Sequence, residues 1–258
     1  MKLSKRMERV ARMVTEGNRL ADIGTDHAYI PIYLCEKKRI SSVIAIDRNP
    51  GPLKRAREHI LEAGLSAYIE VRLSNGTARL EPGEADTLLL AGMGGLLMER
   101  ILGERDEVLS EAKELVLQPQ SDIADLRQWL HMKGWEIVCE DIVFEGGKYY
   151  PMMKAVQGPY RSYTIQEYHY GRFDLQQSLP VLEKYIEKHL RTQKEILERI
   201  LARGKDSPVT GEEFARRDIR LVEKALDNCR EELARRAKAG EQLEEGGKRP
   251  DDKMSGPD

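Results

Sequence analysis

Seven short apolar runs recur between residues 19 and 157, and the stretches between several of them place apolar residues three and four apart. The runs are RLADIG (19–24), SVIAID (42–47), YIEVRLS (68–74), TLLLAGM (87–93), ELVLQPQ (114–120), WEIVCEDIVFE (135–145) and KYYPMMKAVQ (148–157). The early ones are short, β-branched and nearly all apolar, which predicts parallel strands covered on both faces. Between two of them, GPLKRAREHILEAG carries Leu53, Ala56, Ile60 and Leu61 along one predicted helix face and a stop at Gly64. Strand–helix alternation predicts an α/β chain built on an open, doubly wound parallel sheet. Only Gly146 and Gly147 separate the last two runs, so the sheet should end in an antiparallel β-hairpin.

After about residue 165 the period changes. Leu175, Leu179, Leu182, Ile186, His189, Gln193, Ile196 and Ile200 alternate spacings of four and three, a heptad seam with two polar positions. The loop ARGKDSPVTG follows, and a second seam runs through Ile219, Val222, Leu226, Cys229 and Leu233. Two such stripes joined by a short loop predict an antiparallel coiled-coil helical hairpin. The final EQLEEGGKRPDDKMSGPD has almost nothing apolar to bury, so it should be disordered. The expected organisation is an α/β domain over 1–165, a helical hairpin over 166–240 and an acidic tail over 241–258.

Composition narrows the class. Of the 258 residues, 40% are hydrophobic, enough for a core, yet no apolar run reaches the span of a membrane helix. MKLSKRMERVARMV has no apolar h-region, so no signal peptide is expected. Cys35, Cys139 and Cys229 are scattered, and neither CxxC nor Cys/His spacing occurs. No disulfide, no metal and a reducing cytoplasm are therefore the expectations. The net charge of −2 combines a tail at −3 with a remainder at +1, so a local basic face is possible and a global basic field is not. The hairpin region carries 16 basic and 14 acidic residues, mostly a solvated surface that could hold a basic strip near its loop.

Candidate chemistry gathers at the strand ends, where open α/β sheets bind ligands. The first turn, ADIGTDHAY, has one glycine where a dinucleotide site would carry several. Gly24 permits close backbone approach beside Asp22, while Asp26, His27 and Tyr29 make the turn polar. A ligand with an ammonium, a carboxylate and a sulfonium suits that turn better than a pyrophosphate; a capped strand end with a surface histidine is the simpler alternative. Asp47 ends the second run about 25 residues on, where an acid can accept both ribose hydroxyls; a helix-capping aspartate would look the same. Asn75, in SNG, could meet an adenine edge or merely form a turn. The three glycines of AGMGG (91–95) suggest close approach to a ligand or reacting base, since a tight turn needs only one.

LSKRM, ADIGTDHAYIPIYL, GPL, AGMGG, LVLQPQ, LRQWL and GW occur in one order. With a parallel sheet ending in a hairpin, the chain resembles the bacterial tRNA (adenine(22)-N1)-methyltransferase family over about residues 3–157. It departs from that family's pattern at Asn75, where aspartate is usual, and at Gln120, where asparagine is usual. The resemblance implies a Rossmann-like class I methyltransferase fold, S-adenosylmethionine as cofactor, and methyl transfer to adenine N1 in the tRNA D-arm. It implies a cofactor site of Asp22, Gly24, Asp47, Arg48, Asn75, Gly76, Ala91, Gly92 and Met93. Asp26, His27 and Tyr29 would face the reacting base, and Lys5, Arg6, Lys188, Arg191 and Lys194 would contact tRNA. A monomer with no membrane or metal partner is expected. An NAD-dependent oxidoreductase shares the Asp47 argument, but the single-glycine turn and terminal hairpin speak against it. An RNA-binding adaptor with a relic pocket is the other alternative.

Overall fold

The computed structural model describes residues 2–202 and 209–246. The first part contains α1 (Lys5–Met13), β1 (Leu20–Ile23), α2 (Tyr29–Glu36), β2 (Val43–Asp47), α3 (Pro50–Glu62), β3 (Ile69–Leu73) and β4 (Thr87–Met93). There follow α4 (Gly95–Gly103), α5 (Asp106–Glu111), β5 (Glu114–Pro119), α6 (Ile123–Met132), β6 (Trp135–Glu145), β7 (Lys148–Gln157), α7 (Ile165–Tyr170) and a 3-10 turn (Phe173–Leu175). The remaining helices are α8 (Leu179–Ala202) and α9 (Val209–Gly246). Every expected strand forms, within one residue at either end.

The strands make one seven-stranded sheet in the order β3-β2-β1-β4-β5-β7-β6. The first five are parallel, and β7 is antiparallel to both neighbours. Alternate residues feed two cores. Ile23, Ile46, Leu90 and Leu117 pack with α4, α5 and α6, while Leu20, Ala45, Leu89 and Val116 pack with α1, α2 and α3. Burial of both faces explains why these strands read as continuous apolar runs. On α3, Leu53, Ala56 and Ile60 are buried, but Leu61 is 72% exposed. One residue turns a helix by about 100°, which carries Leu61 off the stripe. The helix stops at Gly64, whose φ is +69°.

The β6–β7 ribbon outruns its neighbour. β5 pairs with β7 only from Met153 to Val156, whereas β6 and β7 stay paired down to Glu145 and Lys148. Gly146 and Gly147 close the ribbon with φ of +55° and +80°, the left-handed pair that a two-residue hairpin turn requires. The ribbon thus overhangs the carboxyl edge of the parallel strands.

The chain divides into two compact units between Val181 and Leu182, later than the boundary expected at 165. A buried ion pair holds the intervening segment on the sheet unit. Arg127 and Glu140 meet at 2.8 Å with side chains 2% and 0% exposed. Arg127 also donates to the Tyr168 carbonyl at 2.8 Å, and the Arg172 backbone N–H donates to Glu140 at 2.7 Å. Leu175, expected in the heptad seam, lies in the 3-10 turn on this side of the division.

In the second unit Leu182, Ile186, Ile219, Val222, Leu226 and Cys229 are buried. Arg230 pairs with Glu183 and Glu187 at 2.8 and 2.7 Å, and Lys194 pairs with Glu223 at 3.1 Å. Partner numbers rise on one helix as they fall on the other, so α8 and α9 run antiparallel. Ile196, expected in the seam, is 39% exposed. Helix α9 continues to Gly246, into the segment expected to be a disordered tail. The rest of that tail, and residues 203–208 of the expected loop, lie outside the described residues.

Two stability predictions follow from this packing. Arg127→Met strands a buried carboxylate and should cost about 3–5 kcal/mol, read as a lower urea midpoint. His131 stacks on Tyr160 at 4.4 Å and meets Tyr168 Oη at 3.1 Å; burial, then the Arg127 charge, lowers its pKa from 6.5. Stability should therefore be full above pH ~6.5 and drain as the pH falls from there toward the folded pKa, because the unfolded chain takes the proton first. His131→Phe should flatten the fall in urea midpoint between pH ~7.5 and ~5.5; an unchanged slope would exclude His131 as its source.

Candidate functional site

Strand order reverses between β1 and β4, so the chain leaves the carboxyl ends of these neighbours in opposite directions and opens a crevice. After β1 the chain turns at Gly24, whose φ is +83° and whose missing Cβ leaves room for the Met93 side chain. The Gly24 and Thr25 N–H groups both donate to the Ile46 carbonyl at 2.8 Å, which pins the turn to β2. His27 and Ala28 then adopt φ of +65° and +54°, costly for residues with a Cβ, at about 1–3 kcal/mol each.

Helix α3 holds this strained loop. His59 Nδ1 lies 3.2 Å from the His27 carbonyl, and Arg55 donates to Asp26 at 2.8 Å. The rings of His27, Tyr29 and His59 stack, with centroids 5.0–5.5 Å apart and planes within 19°. Asp26 is largely exposed and its carboxylate is engaged by Arg55, 3.5 Å from His27 Nε2.

Two cavities meet at Gly24, Ala91 and Gly92. One, of about 250 Å³, is walled by Asp22, Thr25, Asp26, His27, Tyr29 and Arg6. The other, of about 230 Å³, is walled by Asp47, Arg48, Asn75, Gly76, Met93 and Leu97. The residues implied for the cofactor and for the base therefore surround one continuous crevice. A larger open groove of about 800 Å³ continues past Arg48 and Asn75 toward Trp129 and Lys133. Burial raises the Asp22 pKa to about 6; the Thr25 hydroxyl opposes this shift and the Asp47 charge adds to it. Asp47 Oδ1 accepts the Asn49 N–H at 2.7 Å, which sets the carboxylate at the end of β2. Ser74 is buried and accepts the Arg79 N–H, shaping the turn that presents Asn75.

The glycines of AGMGG divide their work. Gly92 is left-handed at φ +80°, beside a register shift in β4, and lines both cavities. Gly94 and Gly95 instead let α4 begin tight against Ser121 and the Asp122 backbone. Close packing, not ligand approach, explains those two.

Arg6, expected on an RNA-facing surface, is half-buried in the wall of the first cavity. Its Nη1 donates to Gln118 Oε1 at 2.7 Å, and its guanidinium lies 5.1 Å from the Tyr150 ring centre. Gln118 is fully buried, and its amide donates to the Pro119 carbonyl at 3.0 Å. The exposed Gln120 side chain approaches Gly92 from the same side. Sequence reasoning missed Gln118, Tyr150, Arg55 and His59; Arg55 and His59 lie four apart on α3, but so do Lys54 and Glu58, so the spacing does not single them out. Lys5 stands beside Arg6 and donates its backbone N–H to Glu145 at 2.8 Å. Lys188, Arg191 and Lys194 lie on α8 in the second unit, with Lys194 in its ion pair. Among the described residues no cluster of His, Cys, Asp or Glu could hold a metal, and no helix is long and apolar enough to cross a membrane.

The family model for a methyltransferase domain matches residues 3–153. The tRNA (adenine(22)-N(1))-methyltransferase of Bacillus subtilis (strain 168) is 37% identical over 158 residues, covering 61% of this chain and 66% of that protein. A Streptococcus pneumoniae protein described as a candidate tRNA (m1A22) methyltransferase superposes with TM-score 0.79 at 33% identity, covering 87% of this chain and 100% of that one. The same protein has also been solved in complex with S-adenosyl-L-methionine, at TM-score 0.77. The Bacillus subtilis M1A22 tRNA methyltransferase superposes with TM-score 0.78 at 29% identity, over 87% of this chain and 99% of that one. With its sheet order, its single-glycine turn and these relatives, the chain belongs to the methyltransferase-domain family and, within it, to the tRNA (adenine(22)-N1)-methyltransferases.

Proposed function

We propose that this protein is a cytoplasmic enzyme that transfers a methyl group from S-adenosylmethionine to N1 of adenine 22 in the tRNA D-arm. The observation that carries the reading is the pair of cavities joined at Gly24, Ala91 and Gly92 in a chain of this family. The residues present suit the donor. Asp47 stands where it would accept both ribose hydroxyls, Asn75 where its carbonyl would meet an adenine amino group, and Asp22 where it would face the ammonium. Bound there, S-adenosylmethionine supplies an electrophilic methyl on its sulfonium.

The chain's own task is placement. Adenine N1 carries its lone pair at neutral pH, so no side chain needs to remove a proton before attack. Because N1 lies on the pairing edge, the base must leave its stack to enter the crevice. Tyr29 and His27, stacked with His59, form a flat wall for the purine, and Ala91 and Gly92 line the seam between the cavities. Fixing the acceptor in that seam can supply up to ~7–11 kcal/mol of the barrier in favourable cases. The product base is cationic; the Tyr29 ring can stabilise that charge by about 0.5–2 kcal/mol, with Asp26 adding a carboxylate at the rim. Lys5, Lys188, Arg191 and Lys194 are proposed phosphate contacts.

Incubation of purified protein with tRNA and donor should yield N1-methyladenosine at position 22 by nucleoside mass spectrometry; no methylated product would overturn the proposal. Asp47→Ala should weaken donor binding about tenfold or more in calorimetry, as expected when hydrogen bonds to a charged group are lost. Donor affinity should also fall as the pH drops below about 6, where Asp22 takes up its proton, and Asp22→Asn should remove that dependence. Tyr29→Ala and Asp26→Ala should slow turnover while leaving the donor Kd in place. Full turnover in both would remove their assigned roles.

A further inference from the structure

Apart from Tyr150, which holds Arg6, the overhanging β6–β7 ribbon has no role in the crevice described above, yet its tip carries an exposed aromatic residue and a basic one. Phe144 is 48% exposed and pairs across the ribbon with Tyr149, ring centres 4.7 Å apart. Tyr150, on the opposite face, lies beneath the Arg6 guanidinium. The start of α1 is fastened to the same tip by the bond from the Lys5 N–H to Glu145. Lys148 begins β7 at the turn and is exposed.

Arg6 is held by neutral groups: the Gln118 carbonyl oxygen and the Tyr150 ring face. Among the described residues no carboxylate pairs with it. The buried Gln118 amide, locked onto the Pro119 carbonyl, turns only its oxygen toward Arg6. The guanidinium is thereby oriented without a direct ion pair among the described residues, and its remaining N–H donors can meet an anion.

Extruding a base leaves the neighbouring base with an uncovered face and a distorted phosphate link. An exposed Phe144 ring, backed by the half-buried Tyr149, and an oriented guanidinium supply what those two groups lack. Resting on the tRNA methyltransferase reading above, we propose that the β6–β7 overhang, with the α1 start seated on it, is an RNA-binding arm. It receives the strand on either side of the extruded adenine: a flanking base stacks on Phe144 on one face of the ribbon, and a phosphate next to the adenine meets Arg6 on the other. Arg6 thus acts on one phosphate at the mouth of the crevice, unlike the proposed surface lysines.

The test measures affinity of full-length protein for a tRNA transcript across a salt series, with donor calorimetry as the check of folding. Phe144→Ala should weaken tRNA binding roughly tenfold with an unchanged salt slope, since stacking releases no counterions. Phe144→Trp should bind like the natural protein, whereas Phe144→Leu, apolar but without a ring, should not. Arg6→Ala should reduce the magnitude of the salt slope by about one while donor affinity holds. Natural affinity in both Phe144→Ala and Tyr149→Ala would overturn the stacking surface. A loss of donor affinity in Arg6→Ala would assign that side chain to the donor's carboxylate and overturn the phosphate contact. Failure of the natural protein to methylate tRNA sinks the enzymatic reading; methylation with unaltered binding in all these variants sinks the arm alone.

Discussion

The whole site depends on one topological constraint, the reversal of strand order beside β1. Because β2 lies on one side of β1 and β4 on the other, two chain segments must leave the same edge in opposite directions, which opens a gap between them. Everything functional is then a matter of what lines that gap. The β1 turn stays low because Gly24 is left-handed and bound twice to the Ile46 carbonyl. The β4 turn stays low because Gly92 is left-handed too. Raising either turn would separate the two cavities.

A second consequence of that gap is electrostatic. Asp22 lies one residue before the end of β1 and Asp47 ends β2, so two carboxylates face one crevice; burial chiefly, with the Asp47 charge adding to it, pushes Asp22 toward neutrality. A ligand that brings positive charge relieves that repulsion, whereas a pyrophosphate would increase it. Arg6 stands in the wall of the cavity that Asp22 and Asp26 also line, and among the described residues no carboxylate pairs with it directly.

The sheet was legible because its strands are buried on both faces, so apolarity is nearly continuous and the breaks between strands are sharp. Strand-end positions such as Asp22, Gly24 and Asp47 were legible for the same reason: they are the acidic and glycine positions toward the close of otherwise apolar runs. Contacts between distant segments left no such trace. Arg6 and Gln118 are 112 positions apart, and neither has a neighbour in sequence that hints at the other. The unit boundary moved because a buried Arg127–Glu140 pair recruits α7, an effect of tertiary packing that periodicity cannot carry. Gly94 and Gly95 misled because a glycine pressed against protein backbone and one pressed against a ligand look identical in a sequence.

Met93 makes a different kind of wall from its neighbours. The space above Gly24 is filled by the end of a thioether chain, not by backbone or a ring. An unbranched methionine with three rotatable bonds yields where its rigid neighbours cannot. The crevice thus has a compliant side at the join of its two halves. Redesign for donors carrying a bulkier transferable group would begin by shortening residue 93, leaving both strand termini and the left-handed turns as they stand.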